Sequence, residues 1–208
     1  ILVLFLFVLC INHGTFHGPL HPDEPTSINA ANNVLNDGLD PNMYRYPAGF
    51  FNLLAFVFKI QSYIRPIKNY NQYQLSRIIS RIMVSLIAVM VFIICSININ
   101  KISGLVGGII VTFSNTIYTN SNYAIVDIPT TFFITLFFVL LAKYINISKL
   151  NRKELYILAV LIGISISMKY TAALLIPVLI YNSFLSLSKN HYQTLSSNSI
   201  RNLLFVFG

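Results

Sequence analysis

Two adjacent carboxylates, Asp23 and Glu24, stand in the stretch HGTFHGPLHPDEP, directly after the unbroken apolar run ILVLFLFVLCI, in a chain with only six acidic residues among 208. Carboxylates in such a place have two uses. An acidic side chain at a helix start satisfies orphan backbone N–H groups and the positive end of the helix dipole. An ionisable side chain beside a membrane is costly enough to be a functional candidate in its own right. Asp127, in NSNYAIVDIPTTFF, is the only acidic residue between Asp40 and Glu154 and lies between apolar runs. Lys169, in GISISMKYTAALL, is isolated in the same way and reads either as a lysine snorkelling from a helix end or as a site residue. His13, His17 and His21 repeat at four-residue spacing, as metal ligands on one helix face would. Gly14, Gly18, Pro19 and Pro22 interrupt such a helix, so interfacial loop histidines fit better, with His21 bordering a site.

The elements that must hold these residues are membrane helices. Hydrophobic residues make up 55% of the chain and charged residues 10%, and the mean hydropathy of +0.68 exceeds what a soluble domain of this size reaches. The 14 Lys and Arg mostly flank apolar runs, as loops and helix ends beside anionic lipid do, so the net charge of +8 does not point to nucleic acid. Cys10 and Cys95 both lie in apolar runs, which argues against a disulfide framework. The chain opens in mid-run at Ile1 without a Met and closes in a fresh apolar run, NLLFVFG. We therefore read residues 1–208 as the N-terminal part of a longer transmembrane domain, with residues 1–11 belonging to a first transmembrane helix rather than to a signal peptide.

Uncharged apolar runs cover 1–11, 46–58, 82–100, 102–126, 128–142, 155–168 and 170–188, and a bilayer core takes roughly 20 helical residues. The runs at 82 and 170 suffice alone, and the run at 102 contains a span followed by the polar NTIYTNSNY. Those at 128 and 155 reach span length when Lys143, Lys153 and Lys169 snorkel. The run at 46, opening YPAGFF, is short and fits an interfacial or re-entrant helix. The fold class is all-α, a polytopic transmembrane helical bundle with one long external loop, residues 12–45. That loop holds four of the six acidic residues and no Lys or Arg before Arg45, a composition tolerated outside by the positive-inside rule. Within it, DEPTSINAANNVLND predicts a short amphipathic helix along the membrane surface: Pro25 near the start, Ile28, Ala31, Val34 and Leu35 at helical spacing, and Gly38 as the stop.

Taken in order, the apolar first helix, the Asp-Glu loop, YPAGFF, SRIISRIMVSLIAVMVFIIC, SNYAIVDIPTTFFITLFFVLLAKY and GISISMKYTAALLIP resemble the N-terminal half of the GT-C glycosyltransferases. The likeness is in particular to the group containing the protein O-mannosyltransferases and the bacterial aminoarabinose transferase. The order and spacing of short motifs carry the resemblance, over nearly the whole chain. It implies that Asp23 and Glu24 face the lumen or periplasm and hold the catalytic carboxylate, and that Asp127 is the second-loop acid on the same side. Tyr46-Pro47 matches an aromatic-Pro or Lys-Pro step near the lipid phosphate, and Lys169-Tyr170 matches a basic position. Ala48 stands where a second Pro is common, and Arg45 adds a basic residue there. The implied activity is transfer of a sugar from a polyprenyl- or dolichyl-phosphate-linked donor to a protein, lipid or glycan acceptor. The reaction would take place on the extracytoplasmic face of a bacterial plasma membrane or an ER membrane, with inversion. Asp23 is expected as the base, Glu24 as its partner or orienter, Asp127 as an acceptor or metal contact, and Lys169, Arg45 and Tyr46 at the donor phosphate. A divalent cation is optional, Asp23 and Asp127 being the carboxylates able to take it.

Topology constrains this assignment. If residues 46–58 spanned the membrane, Asp23 and Asp127 would face opposite sides; if that run only dips into the outer leaflet, the spans at 82 and 102 return the chain to the same side. Charge leaves both arrangements open. With the dip, Lys101, Lys143, Lys149, Arg152, Lys153, Lys189 and Arg201 fall inside, but Lys59, Arg65, Lys68, Arg77 and Arg81 fall outside. Two other classes would differ: a transporter should show broken helices near mid-membrane and internal symmetry, and a membrane scaffold would need none of the three carboxylates.

Overall fold

The computed structural model describes residues 21–38, 40–64, 71–147 and 151–184, and all regular structure among them is helical. The first apolar run, His13, His17, Arg65, Lys68, Lys149 and residues 185–208 lie outside the described residues. Helix α1 (Asp23–Asp37) is the one the loop sequence predicts, bounded by Pro22 and Gly38. Gly38 takes a φ of +72°, a left-handed conformation that glycine adopts without penalty, and its N–H closes onto the Val34 carbonyl. The apolar side of α1 meets protein instead of the membrane surface: Ile28, Ala31 and Val34 are buried in one core with Phe50, Phe51, Leu54 and Phe58 of α2 (Gly49–Ile64). The apolar stripe of α1 is narrow, and it finds in the phenylalanine-rich side of α2 a partner that lipid would not match. At 16 residues α2 is about 24 Å long by helical rise, short of a bilayer core of about 30 Å, and it runs six residues past Phe58 into the polar stretch.

Helices α3 (Gln72–Asn98) and α6 (Asp127–Ile147) are long and apolar enough to cross a membrane. The start of α3 lies ten residues ahead of the apolar run at 82. The Asn71 side chain accepts from the Tyr73 and Gln74 N–H groups, and Leu75, Ile78, Ile79 and Ile82 keep helical spacing through the polar residues. Arg77 and Arg81 are therefore helix residues, not free loop charges. The run at 102 departs from a single span: α4 (Lys101–Thr112) and α5 (Asn115–Ser121) are bent by 57° at Phe113–Ser114. Serine, threonine and asparagine after Phe113 compete for backbone groups and favour a new start over continuation. Helix α4 packs closely on α3 at Gly104, where a Cβ would stand 2.7 Å from the Phe92 carbonyl oxygen.

Helix α7 (Arg152–Met168) opens with a capping box between Asn151 and Glu154 and returns along α6, Leu158 and Ile162 packing with Phe137 and Leu141. Lys169 then breaks the helix in an extended conformation. Helix α8 (Tyr170–Phe184), whose first turn Tyr170–Leu174 is a 3-10 turn, falls short of a span over its described length. Two ends result. One gathers the starts of α1, α3 and α6 and the last turn of α7; the other holds Asn98 to Lys101, the end of α6 and the start of α7.

Candidate functional site

The site is organised by Glu24, which is fully buried. Arg77 donates to it twice, Nε to Oε1 and Nη2 to Oε2, both at 2.8 Å. The Ala124 N–H adds a third bond to Oε1 at 2.9 Å and the His21 N–H a fourth to Oε2 at 3.1 Å. Burial alone pushes the Glu24 carboxyl upward, but the Arg77 guanidinium and the two backbone donors outweigh it and hold the pKa below the ordinary carboxylate value. Three segments are thereby tied at one point: the entry to α1, the first turns of α3, and the loop Asn122–Val126 ahead of α6. Further bonds dock that loop onto α3, with Ser80 Oγ donating to the Tyr123 carbonyl at 3.0 Å and Arg81 Nη2 to Asn122 Oδ1 at 3.1 Å. The Tyr123 ring lies between the His21 ring, 5.2 Å away, and the Arg77 guanidinium, 5.9 Å away.

Asp127 follows this loop as the first residue of α6, and Lys169 reaches it from the end of α7, Nζ to Oδ1 at 2.6 Å. The two isolated charges of the sequence therefore form one ion pair. It remains open to solvent, with side chains 29% exposed at Lys169 and 44% at Asp127, so either partner can exchange the other for a ligand. The contact of Glu24 with Ala124, three residues before Asp127, also puts the first-loop acids and Asp127 at the same end of the bundle.

Asp23 differs from both. Its backbone N–H donates to His21 Nδ1 at 3.2 Å and its carbonyl accepts from Ser27 Oγ, but its half-buried carboxylate has no hydrogen bond or ion pair among the described residues. Arg45 and Tyr46 are joined to each other, the Arg45 guanidinium 5.4 Å from the Tyr46 ring centroid. Tyr46 leans on the α1–α2 core, which includes Met168, the neighbour of Lys169; Arg45 is exposed and forms no ion pair with an acid among the described residues. Arg77, Arg81, Asn122 and Tyr123 were not singled out by sequence. A signal for the two arginines lies in SRIISR, which sets them four residues apart on one face of a helix, flanking Ser80; Asn122 and Tyr123 have none.

No group of three His, Cys, Asp or Glu side chains that could hold a metal occurs among the described residues, and Asp127 already has a cationic partner. The arrangement offers instead a carboxylate with no partner among the described residues, a lysine in an exposed ion pair and a buried latch. A groove of about 460 Å³ between α3 and α6, lined mostly by apolar residues such as Val91, Ile94, Phe138 and Leu141, lies toward Asn98 and Ile145 at the opposite end and contains none of these groups.

No curated protein and no solved structure matches the chain. A family model does: that of the dolichyl-phosphate-mannose-protein mannosyltransferases matches residues 47–207, a segment that contains Arg77, Asp127 and Lys169 and begins after Asp23 and Glu24. With three-quarters of its length matched and helices long and apolar enough to cross a membrane, the chain belongs to the dolichyl-phosphate-mannose-protein mannosyltransferase family and is an integral membrane glycosyltransferase.

Proposed function

We propose that the protein transfers mannose from a dolichyl-phosphate-linked donor to a hydroxyl of a protein acceptor on the extracytoplasmic face, with Asp23 as general base. The acceptor hydroxyl gives its proton to the Asp23 carboxylate as its oxygen bonds to the anomeric carbon. The bond from that carbon to the phosphate oxygen breaks with its electron pair, and dolichyl phosphate departs. Attack opposite the leaving group inverts the anomeric centre. Lys169, with Arg45, meets the charge that develops on the departing phosphate. Asp127 holds Lys169 in position and borders the acceptor, and Glu24 fixes the loops instead of exchanging protons.

The observation that carries this reading is the difference among the three acids: Glu24 is engaged by Arg77, Asp127 by Lys169, and Asp23 by nothing among the described residues. The face rests on the first loop, which holds four of the six acidic residues and no Lys or Arg before Arg45, a composition tolerated outside. The basic residues are divided between the two ends, Lys101, Lys143, Arg152 and Lys153 away from the site and Arg45, Arg77, Arg81 and Lys169 at it. The bend between α4 and α5 is a feature that transporters share, but the family match assigns the transferase.

Membranes containing the full-length protein, supplied with dolichyl-phosphate mannose and a Ser/Thr-containing peptide, should yield mannosylated peptide with the anomeric configuration opposite to that of the donor. Transfer to a lipid or glycan alone would overturn the protein-acceptor assignment. Retained configuration would overturn single displacement.

A further inference from the structure

Lys169 is the one proposed phosphate contact whose backbone position depends on where a helix ends. Its N–H still closes onto the Ser165 carbonyl, at 3.1 Å, and its own backbone is already extended, so the last turn of α7 decides where the side chain departs. Two contacts hold that turn. Met168 is buried in the core formed by α1 and α2. Beside it, the first residue of α2, Gly49, abuts Ser167: a Cβ at Gly49 would overlap Ser167 Oγ and stand 2.5 Å from the Ser167 carbonyl oxygen and 2.7 Å from its carbonyl carbon. Two of those three atoms are backbone, so a side chain at 49 cannot be accommodated by a rotamer change and must push α2 and α7 apart. The absence of a side chain here brings the YPAG turn, with Tyr46, against the segment that carries Lys169.

We propose that Gly49 is a positioning residue for the donor site: by admitting the backbone of Ser167 it sets where Lys169 leaves α7, and so whether its ammonium group reaches both Asp127 and the donor phosphate. The proposal rests on the reading of Lys169 as a donor contact.

A comparison with Gly104 separates positioning from general packing. Gly104 is also crowded against backbone, 2.7 Å from the Phe92 carbonyl oxygen, but sits between α3 and α4 near the opposite end. Donor KM, kcat and thermal stability are measured with dolichyl-phosphate mannose for Gly49→Ala, Gly104→Ala and Lys169→Ala in the full-length protein. Both glycine variants should lose thermal stability. Gly49→Ala should raise donor KM at least about fivefold, as Lys169→Ala does, whereas Gly104→Ala should leave it unchanged. Ser167→Val, which thickens the same contact from the other side while keeping Gly49, should raise donor KM in the same direction and covers the case in which Gly49→Ala does not fold. A raised KM in Lys169→Ala with unchanged KM in Gly49→Ala or Ser167→Val would overturn the positioning role alone. An unchanged KM in Lys169→Ala would overturn the donor reading and the proposal with it. Equal rises in Gly49→Ala and Gly104→Ala would reduce Gly49 to packing.

Discussion

Glu24 and Arg77, 53 positions apart, meet through two parallel hydrogen bonds of 2.8 Å in a place where the carboxylate is fully buried. A fork-to-fork pair of this kind fixes direction as well as distance. Because Glu24 also accepts from the Ala124 N–H, the pair aligns the loop that ends in Asp127 with the turn that carries Asp23.

Removing one partner should be expensive. Glu24→Ala or Arg77→Ala leaves a buried charge uncompensated, a loss of about 3–5 kcal/mol. The double variant Glu24→Leu/Arg77→Leu should lose less than the sum of the two single variants. Thermal unfolding in detergent measures all three, and a loss under about 1 kcal/mol for the single variants would make the pair no more than a surface contact.

Acid should loosen the same latch. The folded pKa of Glu24 lies below its unfolded value, so the stabilisation is complete above the unfolded value of about 4.3 and is lost as the pH falls through the folded one. The melting temperature of the native protein should therefore drop on acidification below about pH 4, and Glu24→Gln should remove that part of the slope. An identical acid profile in Glu24→Gln would assign the loss to other carboxylates.

The Asp127–Lys169 pair is exposed and should matter for rate more than for stability. Asp127→Asn should lower transfer at least roughly tenfold, about 1.4 kcal/mol of transition-state stabilisation, with little change in melting temperature. An unchanged rate with unchanged acceptor affinity would leave Asp127 as the first residue of α6 and nothing more.

Topology has its own test. With Cys10 and Cys95 replaced by serine, Tyr44→Cys, in the exposed loop between α1 and α2, should react with an impermeant thiol reagent added from the extracytoplasmic side, and Lys101→Cys, at the start of α4, should not. Reaction of Lys101→Cys and protection of Tyr44→Cys would invert the assignment and move the site to the cytoplasm.

Much of this was legible in the sequence, for identifiable reasons. The helix at Asp23–Asp37 was legible because Pro, Gly and apolar spacing all agree there, and the shortness of α2 because run length alone decides it. Asp127 and Lys169 stood out because an isolated charge between apolar runs is conspicuous, yet nothing in spacing says that residues 42 apart will pair. Arg77 was obscured by its surroundings: QYQLSRIISR looks like a polar connection, and only the Asn71 cap and the isoleucine spacing reveal a helix there. The role of Glu24 is hidden for the same reason, since nothing in the spacing pairs it with a residue 53 positions on. The break at Ser114 was missed because apolar content measures whether a segment tolerates lipid, not whether its backbone stays continuous.

The measurement closest to the central claim is turnover of Asp23→Asn in the full-length protein, with dolichyl-phosphate mannose as donor. Asp23→Asn keeps the size of the side chain and leaves the Glu24 latch and the backbone bond to His21 intact, so expression and melting temperature should match the unaltered protein. Transfer should fall by at least about a hundredfold, the range expected when a general base is removed, with donor affinity preserved. Normal turnover by Asp23→Asn would contradict the account, because Glu24 and Asp127, the other acids of the site, are each engaged by a cation.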